Sequence, residues 1–392
     1  MIRRVLAGRA LRSFADGFIA VVLPAYLLAL GHGELDVGLI GTATLAGSAL
    51  MTLCVGRWGY RFSVRRLLLA AALLMCASGA AFASLESLWP LLIVAFVSTL
   101  NPSSGDASVF MPLEHTMLAT APAAKRTRLF ARYSFIGSIF GAVGALAAGL
   151  PEWLATGGWT MLDALRGMFL LYGAVGVAVW LLYFGLPDPR AAEQKPPAAL
   201  GPSRGIVWRL AGLFSVDSFA GGLTLNSLLA LWLFERFGLS LASAGAFFFW
   251  TGLLAAISQL LAAPLAQRIG LVNTMVFTHI PSSACLIGAA FAPTLPLALT
   301  LLLVRSALSQ MDVPARSAFV MSVVTPEERP AAASFTAVPR SLASAASPAL
   351  AGAMFAAGAM AAPLVLCGTL KIAYDLALFA AFRRVERELV KA

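Results

Sequence analysis

Of the 392 residues in this chain, 60% are apolar and only 12% are charged, against about 25% charged in ordinary soluble domains. A mean hydropathy of +0.85 makes lipid the solvent for most of the surface and excludes an ordinary water-soluble domain. The net charge of +10 raises nucleic acid as a partner, but the placement of the basic residues argues against it.

A bilayer span needs about 20 apolar residues. Twelve segments qualify, at 11–31, 36–55, 66–84, 88–111, 129–150, 165–186, 208–232, 242–263, 273–291, 296–319, 332–356 and 362–382. The first carries Asp16 one turn after Arg12 and, further on, Pro24; an Arg12–Asp16 pair within the helix is the plain structural account. Its basic start followed by an apolar run has the look of a signal peptide. No small-residue cleavage site follows, so a retained first helix is expected.

In the fourth segment the run Asn101-Pro102-Ser103-Ser104-Gly105-Asp106 is too polar for a packed span and reads as a broken helix lining water. Asp106 is a candidate to bind a cation or a proton, and Asn101 a candidate to meet solute. Glu114 lies near the end of that stretch, where exposure and burial are equally compatible with its position, and His115 reads as an interfacial residue.

After the sixth segment comes a polar linker, 187–207, with Pro187, Pro189, Pro196, Pro197 and Pro202. Such sequence joins units without merging their cores, so units are expected at 1–186 and 208–392. The seventh segment brings Asp217, with no Lys or Arg at i±4, and Asn226; the eighth brings Gln259. His279 in the ninth reads as a satisfied helix-contact residue.

The tenth places Arg305, Ser309, Asp312 and Arg316 on one helical stripe. Asp312 and Arg316, at i and i+4, are expected to pair. Arg305 lacks a local partner and is the best candidate to hold an anionic group or to meet Asp217 or Asp106, while Pro314 predicts a kink. Arg340, Lys371 and Asp375 in the last two segments read as packing or interface residues. Cys54, Cys76, Cys285 and Cys367 have no paired spacing and point to neither disulfides nor a thiolate metal site.

The two halves repeat. Leu11 to Phe18 returns as Gly212 to Phe219, which overlays Asp16 on Asp217; Gly56 to Ser63 matches Ala263 to Gly270, and Ala131 to Gly149 matches Ala333 to Gly352. A period of about 200 residues is far beyond a solenoid repeat and suits a duplicated six-helix bundle. Basic residues alternate with the segment count: Arg3 and Arg4, Arg57 to Arg66, Lys125 to Arg132, Arg204 and Arg209, and Arg383 to Lys391 share one side, and the other holds little beyond Arg166 and Arg236. The positive-inside rule puts both termini in the cytoplasm.

Twelve spans as six plus six, the middle linker and the paired loops resemble the major facilitator superfamily over essentially the whole chain. In that family the loop after the second helix reads approximately Gly-x-Leu-Ala-Asp-Arg-x-Gly-Arg-Lys. Gly56, Arg61, Arg65 and Arg66 fit it, with Tyr60 at the Asp position; Leu265, Ala266, Arg268 and Gly270 fit the second copy, with Gln267 at that position. The resemblance implies that Arg61 and Arg268 brace one conformation.

Asp16 ahead of Pro24, and Gly137, Gly141, Gly144 and Gly149 in the fifth segment, are similar to patterns of drug:proton antiporters, although small residues at such spacing equally serve tight packing. Asn101 stands where such exporters commonly have Arg, and Arg305 is its repeat counterpart.

The resemblance implies an all-α integral membrane protein with twelve transmembrane helices in two pseudo-symmetric six-helix bundles, lined at the centre by the first, fourth, seventh and tenth helices. The expected function is secondary transport of a small molecule by alternating access, with proton-coupled efflux leading. Uptake or facilitated transport of an organic anion or sugar-like solute is the alternative, and a non-transporting sensor or scaffold a lesser one. Candidate substrate and proton residues are Asp16, Asn101, Asp106, Asp217, Asn226, Arg305, Asp312 and Arg316. No enzymatic, metal or cofactor motif is present in the sequence. The expected setting is a monomer in the cell's inner, plasma membrane, with lipid, a small-molecule solute and protons as partners.

Overall fold

The computed structural model describes residues 1–103, 108–119, 122–187, 201–325 and 328–391, with no side-chain account of 123–127, 330, 331, 334 and 384–391. Within the described residues the chain is helical and without strands. In chain order the α-helices are α1 Ile2–Ala29, α2 Glu34–Trp58, α3 Val64–Ser84, α4 Leu88–Val97, α5 Phe110–Leu118, α6 Ala123–Leu146, α7 Leu150–Thr156, α8 Met161–Phe184 and α9 Arg204–Gly222. They continue as α10 Asn226–Phe237, α11 Leu241–Ile269, α12 Leu271–Ala290, α13 Leu295–Ser309, α14 Asp312–Ser322, α15 Arg329–Ala346, α16 Pro348–Ala356 and α17 Ala362–Lys391.

Local chemistry sets the boundaries. Ser63 accepts from the Arg66 N–H at 3.3 Å to start α3, and Thr160 accepts from the Asp163 N–H at 3.1 Å to start α8. Gly238, at φ 60°, closes α10 in the left-handed region that other residues avoid.

Among the described residues, nine helical stretches are long and apolar enough to cross a bilayer by length and composition. The remaining three expected spans, the fourth, tenth and eleventh, are each divided. The fourth is α4 and α5 with a polar irregular segment after Ser98, where Asn101 Oδ1 accepts from the Ser103 N–H at 3.2 Å and from its hydroxyl at 2.6 Å. The tenth breaks at Gln310–Met311, so Pro314 sits in the first turn of α14, where its missing N–H is harmless. The eleventh breaks at Ser347, and Pro348 opens α16.

Large apolar side chains face outward. Trp89 is 77% and Ile93 66% exposed on α4, and Leu181 63% on α8, a surface that only lipid covers favourably. Tight contacts inside are made by bare backbone. A methyl group on Gly17 would run into the Gly141 carbonyl, and one on Gly144 into the Phe14 carbonyl, so α1 and α6 meet backbone to backbone. Gly137, Gly141 and Gly144 of the fifth segment therefore serve packing against α1, whereas Gly149 faces Ala242 of α11. At Gly38 of α2 a Cβ would come within 2.9 Å of the Gly352 Cα on α16, and the Ala349 N–H donates to Thr42 Oγ1 at 3.0 Å.

The chain forms two compact units. The first comprises Met1–Gln194, Leu225–Phe249 and Pro348–Ala357, and the second Lys195–Thr224, Trp250–Ser347 and Gly358–Ala392. In the first, α1 packs on α6, α8 and α10, α3 on α8, and α2 on α4 and α16; in the second, α9 packs on α15 and α17, and α12 on α13, α14 and α17.

Candidate functional site

Asp217 is buried on α9 and is met by three helices of the second unit. Lys371 of α17 donates to its Oδ1 at 2.6 Å, and Arg316 of α14 to its Oδ2 at 2.9 Å. His279 of α12 sets its Nε2 3.9 Å from the same Oδ1. The other ring nitrogen, Nδ1, lies 3.0 and 3.1 Å from the two oxygens of Asp375 on α17, a position for a donated N–H, and Nε2 lies 3.4 Å from the Lys371 ammonium. Arg316 also reaches Asp312, 3.6 Å away on its own helix. The expected Asp312–Arg316 pair is present. The isolation expected of Asp217 is not, because its cations arrive from α14 and α17 rather than from i±4.

Lys371 and Asp375 likewise do more than pack. They stand on one face of α17, yet each bonds to a different partner, Asp217 and His279. Their spacing placed them together; only the fold supplies the other two helices.

Arg305 on α13 is partly buried, and among the described residues its guanidinium makes no hydrogen bond or ion pair. Its backbone carbonyl accepts from the Ser282 hydroxyl at 3.2 Å, which fixes that turn against α12. Cys367, one turn before Lys371 on α17, is an electrostatic neighbour of both Arg305 and Lys371. A charge at such depth is costly unless something pairs with it, so this guanidinium is equipped to meet an anion.

The first unit has its own buried carboxylate. Glu114 on α5 is fully buried and accepts hydrogen bonds from Arg12 of α1, Tyr133 of α6 and Tyr183 of α8. Arg12 lies over the Phe110 ring at 4.1 Å and Arg9 over the Tyr133 ring at 4.8 Å. Gly8 leaves the space that the Tyr183 hydroxyl occupies, since a methyl there would strike it. Sequence reasoning left Glu114 undecided between exposure and burial. The two tyrosines, 19 and 69 residues away from it in sequence, gave no local signal. His115 stacks edge-on to Phe130 and Tyr133.

Of the other expected site residues, Asp16 is buried on α1 and is an electrostatic neighbour of Arg12 and Arg9, and Asn101 is buried in the break between α4 and α5. Asp106 lies outside the described residues. Asn226 is half-buried at the first turn of α10, with no side-chain hydrogen bond among the described residues. Gln259 donates to Gln310 Oε1 at 3.4 Å. Arg61 touches its neighbour Tyr60, at 3.3 Å, and Arg268 is exposed without a hydrogen bond or ion pair among the described residues.

Outside the spans, Glu328 at the N-terminus of α15 accepts from the Gly201 N–H, from the Ser203 N–H at 3.3 Å and from the Thr325 hydroxyl at 3.0 Å. Hydrogen bonds from Ser203, then from the Gly201 backbone and Thr325, hold its carboxyl below the ordinary glutamate value.

Among its described residues the chain is a helical, lipid-facing, polytopic membrane protein with buried charge clusters in its helices. It belongs to the Major Facilitator Superfamily, whose profile matches residues 5–217 and again residues 210–392, and it is accordingly a transporter rather than an enzyme. A membrane protein of Saccharomyces cerevisiae, described only as uncharacterized, is 23% identical over 428 residues, covering 100% of this chain and 96% of the relative.

Solved structures share the fold. The xylose transporter XylE of E. coli, in an inward-open conformation, gives a TM-score of 0.75 at 16% identity, covering 97% of this chain and 96% of that one. The human organic anion transporter MFSD10 gives 0.62 at 17% identity, covering 96% and 98%.

Proposed function

We propose that the protein is a secondary transporter of small organic solutes bearing an anionic group. It works by alternating access between six-helix bundles at 1–186 and 208–392, joined by the linker 187–207, as a monomer in the cell's inner membrane with both termini cytoplasmic. The observation that carries the substrate class is Arg305, a partly buried guanidinium with no protein partner among the described residues, whereas the acidic groups Asp217, Asp312, Asp375 and Glu114 are already engaged. A cation carrier needs an available carboxylate, an anion carrier an available cation. The fold itself does not choose, because both a sugar transporter and an organic anion transporter share it. Asn101 and Asn226 stand as candidate solute residues of the first unit, and Arg61 and Arg268 as candidate braces of one conformation.

Proton-coupled efflux of a cation is the second reading. It is favoured by buried carboxylates at the repeat-related positions Asp16 and Asp217. The two separate in a thermal-shift screen of the purified protein, because binding stabilises by mass action. The probes are benzoate, glucuronate and citrate as anions, xylose and uridine as neutral solutes, and tetraphenylphosphonium as a cation. Stabilisation by an anion that disappears in Arg305→Gln is the expected result. Stabilisation by tetraphenylphosphonium that is lost in Asp217→Asn supports efflux instead, and anion hits untouched by Arg305→Gln remove Arg305 from the site.

A further inference from the structure

His279 occupies a junction that the transport reading leaves unused. Its Nδ1 is held by both oxygens of Asp375, and its Nε2 faces two groups at once: the Lys371 ammonium at 3.4 Å and Asp217 Oδ1 at 3.9 Å. Lys371 in turn is bonded to Asp217 at 2.6 Å. Lys371 and the His279 ring therefore stand side by side against one carboxylate oxygen. Imidazole ordinarily changes charge between about pH 5 and 8.

The surrounding charges come from every element packed on α12. From α17 come Lys371, Asp375 and the Tyr374 ring, edge-on at 6.3 Å; from α14, Asp312 and Arg316; from α13, Arg305. Beyond α12's own neighbours, α9 supplies Asp217, and Arg340 of α15 bonds the Ser218 hydroxyl at 3.2 Å, next to Asp217. With a neutral ring, Lys371, Arg316, Arg340 and Arg305 already outnumber the carboxylates of Asp217, Asp312 and Asp375. One added proton deepens a positive excess that a bound anion would offset.

We infer that His279 is a proton-binding switch: protonation at Nε2 replaces Lys371 as the partner of Asp217 and frees the ammonium for an anionic solute held at Arg305. The proton comes from water and adds to the Nε2 lone pair. The Lys371-to-Nε2 hydrogen bond is lost, and Lys371 keeps its own proton. Imidazolium and ammonium at that separation repel strongly, while Asp217 retains Arg316 and gains the new N–H. Cys367, one helical turn before Lys371 on α17, is an electrostatic neighbour of both Lys371 and Arg305. Proton and anion then bind together. The transport role of the switch rests on the anion reading of Arg305; the titration itself does not.

The test is an NMR titration of the full-length protein in detergent micelles between pH 5 and 8, without solute. The chain has 3 histidines, so nitrogen-15 histidine labelling gives a spectrum in which His279 is identified by its loss in His279→Gln. Should that variant not fold, the double variant His32→Asn, His115→Asn leaves His279 as the remaining signal. A second sample, labelled at lysine, follows the Lys371 ammonium. The expected result is that Nε2 changes from an acceptor nitrogen to a protonated one and that the Lys371 signal shifts at the same midpoint. A His279 signal that stays neutral throughout overturns the inference, as does one that titrates while Lys371 is unmoved. A screen without anion hits, or with anion hits that Arg305→Gln leaves untouched, would with this coupled titration intact sink the substrate reading alone.

Discussion

The two units each bury a carboxylate among helices, and they satisfy it in different ways. Glu114 has one cation, Arg12, and two phenols, Tyr133 and Tyr183. Asp217 has two cations, and each of these has a second partner: Arg316 reaches Asp312, and Lys371 reaches His279. The first arrangement gathers three donors on one carboxylate, so it holds four helices in one geometry. In the second, each cation has another partner to turn to, a carboxylate for Arg316 and the His279 ring for Lys371. Static bracing in one unit and exchangeable pairing in the other is the contrast that experiment can break.

The largest effect is expected at the first cluster. Glu114→Gln removes the carboxylate that is hydrogen-bonded to Arg12, and a broken buried pair costs about 3–5 kcal/mol. Unfolding by SDS titration in mixed micelles reads this directly. Asp217→Asn should cost less, about 1.5–3 kcal/mol, since Arg316 keeps Asp312 and Lys371 keeps His279. Equal losses in the two variants would remove the distinction between brace and exchange.

The smallest effect concerns Glu328, a carboxylate outside the spans. Its folded-state value lies below the ordinary 4.5, so the stability it contributes is present above that value and is lost as pH falls through the lower folded value. Melting temperatures of the wild type and Glu328→Gln should differ near neutral pH and converge in acid. Curves that stay parallel to low pH would show that the clasp on Gly201 and Ser203 does not depend on charge.

Composition and periodicity carried much of this architecture. Apolar segments of bilayer length, the repeat that pairs Asp16 with Asp217, and the polar run at Asn101 were all local in sequence, and so was the Asp312–Arg316 pair at helical spacing. What stayed hidden was tertiary. Lys371 is 154 residues from Asp217, and His279 is 96 from Asp375, so no i±4 search joins them. Glu114 was ambiguous for the same reason, because its burial is made by α1, α6 and α8 rather than by its own helix. The divided spans were half legible: Pro314 and Pro348 mark the breaks in the tenth and eleventh, but a proline alone does not say whether a helix kinks or stops.

The meeting of α2 and α16 at Gly38 and Gly352 has a mechanical corollary. Where side chains interlock, one helix can creep past another as rotamers yield one at a time. Two bare backbones in contact have no such intermediates, and the Thr42 hydroxyl pins their register through the Ala349 N–H. That junction behaves as a press-stud rather than a bearing: it is fastened at one position or open, and any motion that parts the helices must do so in one step.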